Sequence, residues 1–258
     1  MKRKFFFFDI DGTLAVGVPG QQYIPESTKT AIRKLKDAGH FVAIATGRSY
    51  AMAVENMEAL GFSNMVSDGG NGITIDHKLI KIKPLDYDKC LKLIDECKEK
   101  NFIWAISPDN TKRRLAPDQR FYDYTHDVYM KTEVIPGLDP RDYDKIYKVY
   151  IACASPEEDQ LEALKELPWC RFHKEYIFVE PGDKSVGIKA IMDHIGGDYQ
   201  DVVVFGDEKN DLSMFRDEWT SIAMGNAIDE LKEKADYVTD DCDKDGIYNA
   251  CRHFGWID

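Results

Sequence analysis

Two carboxylates two residues apart, Asp9 and Asp11, follow directly on an unbroken run of four phenylalanines, Phe5 to Phe8. Like charges this close repel unless a cation lies between them or one is protonated. A hard ion that prefers oxygen ligands, Mg²⁺ above all, relieves that repulsion. Gly12 comes next and lets the chain turn so that backbone amides face an anion; a solvated Asp-Gly turn after a strand accounts for the same dipeptide. Three other segments place chemistry-bearing residues in similar settings. Thr46-Gly47-Arg48 offers a hydroxyl and a glycine-flanked amide to anionic oxygens, or else a helix N-cap. Lys184 opens a helix pattern, where the macrodipole disfavours a cation unless an anion is close; the alternative is a surface lysine. Asp207, Asn210 and Asp211 follow the apolar run Val202 to Phe205, as a ligand loop or a helix-capping loop.

The elements that must position these residues alternate between apolar strands and amphipathic helices. Lys4 to Phe8 predicts a buried strand, Glu26 to Ala38 a helix closed by Gly39, Phe41 to Ala45 a strand, and Tyr50 to Leu60 a helix closed by Gly61. Such alternation implies an α/β fold with a parallel sheet covered on both faces. After Asp68-Gly69-Gly70-Asn71-Gly72 the pattern becomes a hairpin, Ile73 to Ile82, turning at Asp76-His77. From Asp86 a helix runs to Lys100, then come a strand at 102–106, a polar stretch through His126 and a strand at 145–154. Ser155-Pro156-Glu157-Glu158 reads as a capped helix start, and strands at 170–173 and 176–179 close the block. Alternation then resumes: a helix from Lys184 to Ile195, a strand at 202–205, a helix from Asp211 to Arg216, a strand at 221–224, a helix from Ala227 to Lys234 and a last helix at 246–254. The core is therefore discontinuous, residues 1–82 and 183–258, around an inserted domain of residues 83–182.

Asp9-Ile10-Asp11-Gly12-Thr13, Thr46-Gly47-Arg48, Lys184 and Gly206-Asp207 through Asn210-Asp211, in that order, resemble the haloacid dehalogenase superfamily, whose phosphatase branch carries DxDGT after its first strand and a GDxxND signature after a later one. The place of the insertion resembles the Cof-type, class IIB sugar-phosphatase group. The resemblance spans essentially the whole chain and implies a Rossmann-like doubly wound core with a type IIB α/β (α+β) cap. It implies Asp9 as nucleophile and Asp11 as general acid and base, through an aspartyl-phosphate, with Thr46 and Lys184 as catalytic partners. Mg²⁺ would be held by Asp9, Asp207, Asp211 and Asp11, the last through its backbone carbonyl. Asn210 and Asp211 would also orient ligand, water or Lys184. Substrate contacts would come from Gly12, Gly47, Arg48 and Asn210, and from Asn71, in the group's Asn-Gly segment or a plain Gly-rich turn. The implied activity is Mg²⁺-dependent hydrolysis of small phosphorylated metabolites, sugar phosphates foremost. A phosphomannomutase-like phosphotransferase and a non-catalytic phosphate-binding module are the rivals; a mere binder has no need of the second carboxylate.

The 258 residues carry a formal net charge of −12, a field that repels nucleic acid and anionic membrane, so an anionic substrate needs locally placed cations. The apolar start ends at Asp9, too early for an export signal, and no apolar run approaches the roughly 20 residues of a membrane span. Six cysteines without a CxxC pair, and histidines without metal-ligand spacing, predict neither a disulfide framework nor a zinc site. These features fit a cytoplasmic protein, and they leave monomer or dimer open. Inside the insertion, Thr111 to Arg114 with Arg120, Tyr122 and His126 is locally basic and aromatic, a sugar-recognising stretch or a solvated loop.

Overall fold

Four adjacent phenylalanines occur in a strand only where both of its faces are covered, and the computed structural model puts them there. It describes residues 2–18, 21–171 and 173–258. Strand β1 (Phe5–Phe8) is buried throughout: Phe5 and Phe7 pack with Ile188, Ile191 and Met192 on one face, while Phe6 meets Trp256, and Phe8 meets Phe62 and Phe205, on the other. Then come α1 (Glu26–Asp37), β2 (Phe41–Ala45), α2 (Tyr50–Ala59), β3 (Met65–Ser67), β4 (Gly72–Ile75) and β5 (Lys78–Ile82). The hairpin turns at Asp76 and His77, both with positive φ, as the sequence predicts. The middle of the chain forms α3 (Tyr87–Glu99), β6 (Ile103–Ser107), β7 (Arg113–Ala116), α4 (Arg120–Thr125), β8 (Lys131–Val134), β9 (Lys148–Ala152), β10 (Trp169–Cys170) and β11 (Tyr176–Val179). The last part is α5 (Lys184–Ile195), β12 (Val202–Gly206), β13 (Thr220–Ala223), α6 (Asp229–Lys234), β14 (Tyr237–Val238) and α7 (Gly246–His253).

The chain forms two compact units: residues up to Arg48 with Ala53–Lys81 and Asp183–Asp258, and Ser49–Met52 with Ile82–Gly182. The first holds an eight-stranded sheet in the order β14-β13-β12-β1-β2-β3-β4-β5, parallel from β14 through β3 and antiparallel at β3–β4. No helix among the described residues is long and apolar enough to cross a membrane. All six cysteines are unpaired.

The second unit holds a six-stranded sheet, β10-β11-β9-β6-β7-β8, antiparallel except for the parallel pair β7–β8. Helix α3 covers one face, with Leu93 and Ile94 against Ile106, Val149 and Ile151. The stretch expected to be merely polar contains both β7 and α4. Arg113-Arg114 hides the strand, because Arg114 is fully buried, its guanidinium 4.4 Å from the Phe121 ring centre, 2.5 Å from Asp127 and 2.9 Å from the Thr132 hydroxyl. The expected helix at Ser155 is two single 3₁₀ turns, Glu157–Gln160 and Ala163–Glu166, and Ser155 caps neither. The expected helix at 211–216 is a 3₁₀ turn, Lys209–Met214. The strand expected at 170–173 is ordered as β only at Trp169–Cys170; Phe172 lies outside the described residues.

Removing one partner of a buried ion pair leaves the other charge uncompensated. Asp127→Ala is therefore expected to destabilise the protein by roughly 3–5 kcal/mol, read as a lower denaturation midpoint at unchanged slope. A loss under about 1 kcal/mol, the size expected of a surface pair, would show that the aromatic rings alone hold Arg114.

Candidate active site

The neighbours of β1 decide where chemistry collects. Phe8 is in register with Phe205 of β12 and Ile44 of β2, so residues leaving the carboxyl ends of these strands emerge side by side: Asp207, Asp9 and Thr46. Ligands of open parallel sheets bind at this edge. Asp9 continues the ladder for one residue, its N–H donating to the Phe205 carbonyl at 3.0 Å.

Lys184 reaches the same edge from the start of α5. Asp183 caps that helix by accepting the Ser185 N–H at 3.0 Å, and the Lys184 N–H donates to Ser213 Oγ at 3.0 Å. The Gly-rich segment after β3 is what admits the helix. Gly70 has φ +109°, and a Cβ there would lie 2.1 Å from the Asp183 carbonyl oxygen. Lys184 Nζ then donates to Asp9 Oδ1 at 2.7 Å and to Asp211 Oδ1 at 2.5 Å. All three side chains are buried. The other oxygen of Asp211 accepts the N–H groups of Asp207 at 2.8 Å and Glu208 at 3.1 Å, so Asp211 also caps its own turn. Asp9, Asp207 and Asp211 each offer a carboxylate oxygen within 4.8 Å of the others. Asp211 thus lies in the cluster expected to hold metal, but both its oxygens are already engaged.

The DxDGT turn closes against Asp207. Thr13 Oγ1 donates to Asp207 Oδ1 at 2.8 Å. Gly12 has φ +80°, and a Cβ there would fall 2.0 Å from Asp207 Oδ2. Its own N–H donates to the Ala15 carbonyl at 2.9 Å. Asn226 fastens the turn from outside, donating to the Gly12 carbonyl at 2.9 Å. Asp11 is held apart from the cluster: Arg48 grips it through Nε to Oδ2 at 2.8 Å and Nη2 to Oδ1 at 2.5 Å. Thr46 is buried, and its Oγ1 accepts the Arg48 N–H at 3.1 Å; Gly47 lies in the turn between them. Asn71 ends the Gly-rich segment, its N–H donating to the Asp68 carbonyl at 3.1 Å. Asn210 Oδ1 is a buried acceptor without a hydrogen-bond partner among the described residues. Thr13 belongs to the DxDGT run with no task implied for it, and Gln22, Ser213 and Asn226 carry no motif or spacing that distinguishes them.

Three carboxylates share one ammonium here. Burial pushes the Asp9 carboxyl up to about 7, against the pull of Lys184 and with repulsion from Asp211 and Asp11 adding to it. Burial, then repulsion from Asp9 and Asp211, pushes Asp207 up to about 8. Burial alone would lower Lys184, but the charges of Asp211 and Asp9 more than offset it and its value is raised. The ionised cluster is two negative charges in excess, in a buried setting of carboxylate oxygens. Such a donor set fits one hard divalent cation.

These elements and this cluster are those of a phosphoryl-transfer hydrolase on an α/β core, and comparison with known proteins agrees. A model of the haloacid dehalogenase-like hydrolase family matches residues 6–251. "Putative phosphatase YkrA" of Bacillus subtilis is 33% identical over the whole of both chains. Among solved structures, a hypothetical protein from Geobacillus kaustophilus superposes with a TM-score of 0.85 at 32% identity, covering 99% of this chain and 100% of its own. The HAD subclass IIB sugar phosphatase BT4131 superposes at 0.79 and 26%, covering 98% and 100%. The chain belongs to the haloacid dehalogenase-like hydrolase family. It is an enzyme of the phosphatase kind, related to the Cof-type, subclass IIB members.

A carboxyl whose value is higher folded than unfolded binds protons on folding, so its contribution to stability is present in full below about 3.8 and is lost as pH rises through about 7 to 8. In chelator-containing buffer the melting temperature should therefore fall between about pH 5 and about pH 8, and Asp207→Asn should flatten that slope relative to the parent. An equal slope in the variant would show that Asp207 is not the group under strain.

Proposed function

We propose that this phosphatase hydrolyses phosphomonoesters of small phosphorylated metabolites, sugar phosphates foremost, by way of a phosphoryl group carried on Asp9. The observation that carries the reading is the buried Lys184 ammonium held between Asp9 and Asp211. It fixes one oxygen of the nucleophile, leaves Oδ2 for the displacement, and presents a positive charge where phosphoryl oxygens would gather charge. Mg²⁺ would be held by Asp9, Asp207 and the backbone carbonyl of Asp11, and it would supply Lewis-acid stabilisation of phosphoryl charge. Asp211, with both oxygens engaged, acts in this reading as a positioning residue for Lys184 and for the Asp207 loop.

In the first step Asp9 Oδ2 forms a bond to phosphorus while the ester P–O bond breaks, and Asp11 gives its proton to the departing oxygen. In the second, water attacks the same phosphorus, Asp11 takes the water proton, and the Asp9–phosphorus bond breaks to release phosphate. Thr46 Oγ and the partnerless Asn210 Oδ1 are assigned to orient phosphoryl oxygens, water or ligand hydroxyls. Gly12 and Gly47 contribute turn geometry, Arg48 holds the Asp11 carboxylate, and Asn71 contacts substrate. The inserted unit, residues 83–182, is assigned as the type IIB cap that discriminates leaving groups. The sugar-phosphatase neighbour supports the substrate class. So does YcsE of Bacillus subtilis, 27% identical over 98% of this chain and 96% of its own, named a 5-amino-6-(5-phospho-D-ribitylamino)uracil phosphatase.

The test is phosphate release from a panel of sugar phosphates, nucleotides and that ribitylamino-uracil phosphate, with Mg²⁺ and after chelation. Wild type should turn over only with metal. Asp9→Asn should lose at least about 10⁴-fold, as removal of a nucleophile does, and Asp11→Asn about 10²- to 10⁴-fold. Robust turnover by Asp9→Asn would refute the covalent route, and return of the phosphoryl group to sugar without phosphate release would make the protein a mutase.

A further inference from the structure

The Asp11 carboxylate belongs to a closed ring of three side chains. Besides the two hydrogen bonds from Arg48, Asp11 Oδ1 accepts Gln22 Nε2 at 2.6 Å, and Arg48 Nη2 donates to Gln22 Oε1 at 2.7 Å. The amide therefore bridges both members of the ion pair, its donor end on the carboxylate and its acceptor end on the guanidinium. Only an amide satisfies both ends: a carboxylate in its place would set oxygen against the Asp11 oxygen, and a hydrocarbon would reach neither. Gln22 comes from the segment between β1 and α1, where Val16 and Tyr23 exchange two backbone hydrogen bonds at 2.9 and 3.1 Å. Its own Nε2 also lies 3.5 Å from the Gly17 carbonyl. The side chain thus projects from a fastened loop.

The Asp11 side chain is 42% exposed, in contrast to buried Asp9, and neither packing nor the sheet ladder holds its carboxylate. A proton donor misplaced by about 1 Å costs on the order of 10²-fold in rate. We infer that Gln22 is a positioning residue for proton transfer: by bridging Arg48 and Asp11 it sets where the carboxylate stands when the leaving group departs. This rests on the proposed role of Asp11. Position 22 lies outside the DxDGT and GDxxND runs.

Protonation matters most when the departing oxygen is a poor leaving group, and kcat/KM reports events only through the first irreversible step, the break of the ester bond. The experiment compares kcat/KM for 4-nitrophenyl phosphate and phenyl phosphate, whose phenoxide is the poorer leaving group, in wild type, Asp11→Asn, Gln22→Ala and the near-isosteric Gln22→Glu, with melting temperatures in parallel. Both Gln22 variants should raise the nitrophenyl-to-phenyl ratio, by about tenfold, below the roughly 10²- to 10⁴-fold span of general acid catalysis. A residue that only fills space would let Gln22→Glu behave as wild type and would make Gln22→Ala lose both substrates equally; either result overturns the inference. If Asp11→Asn raises the ratio while the Gln22 variants do not, Gln22 is dispensable and the role of Asp11 stands. If Asp11→Asn leaves the ratio unchanged, or wild type cleaves neither ester, the reading of Asp11 falls and the inference falls with it.

Discussion

The ammonium of Lys184, held away from water between Asp9 and Asp211, is the interaction that the rest of the core unit accommodates. An unpaired charge in such a place costs many kcal/mol, and even a paired one is favourable only with excellent geometry and every remaining donor and acceptor satisfied. The neighbouring structure meets that demand. Asp211 places its second oxygen on two backbone amides, which makes it a rigid anion. The start of α5 is tethered through Ser213 and lies against the Gly70 backbone at a distance no side chain would allow. A residue with a Cβ at position 70 would collide with the Asp183 carbonyl and push the start of α5, and Lys184 with it, away from Asp9.

The same pair explains why the cluster stays incomplete in protein atoms alone. One lysine neutralises one of three carboxylates, so burial first and the residual repulsion second raise the values of Asp9 and Asp207. Folding into this arrangement without a cation is therefore opposed at neutral pH, and the opposition is confined to two side chains at the ends of adjacent strands. A parallel sheet tolerates this because its carboxyl edge is where loops, not core, must pack. The strain sits at the rim of a hydrophobic interior built by Phe5 to Phe8, Val202 to Phe205 and α5, which is stable enough to hold it.

Much of this was legible from residue types. Strands that are apolar throughout, helices closed by Gly39 and Gly61, and the Asp76-His77 turn follow from local chemistry, and each is found in the structure. The carboxylate–lysine cluster was legible as separate stations because each follows an apolar strand or opens a helix. What escaped reading was whatever depends on a partner far away in the chain. Arg114 looks solvated until Phe121, Asp127 and Thr132 surround it. Asp68 to Gly72 looks like a loop until α5 arrives against it, and the hold of Asp211 on the Asp207 and Glu208 amides appears only once its second oxygen is traced to them. Gln22 carries no signal of its own, since its meaning lies in the ring it closes with two residues drawn from different motifs.

Asp9 and Asp11 show how one spacing yields two environments. Asp9 remains in the strand ladder and inherits its burial, so its carboxylate is fixed by Lys184 and sensitive to every neighbouring charge. Two residues later the chain has left the ladder, Gly12 has turned it, and Asp11 stands half in solvent with Arg48 as its counter-ion. A second carboxylate as buried as the first would add a fourth negative charge to a cluster that already holds an excess of two. Keeping it outside, on a separate arginine, lets the protein place a second carboxylate two residues from the first without adding its charge to the buried cluster.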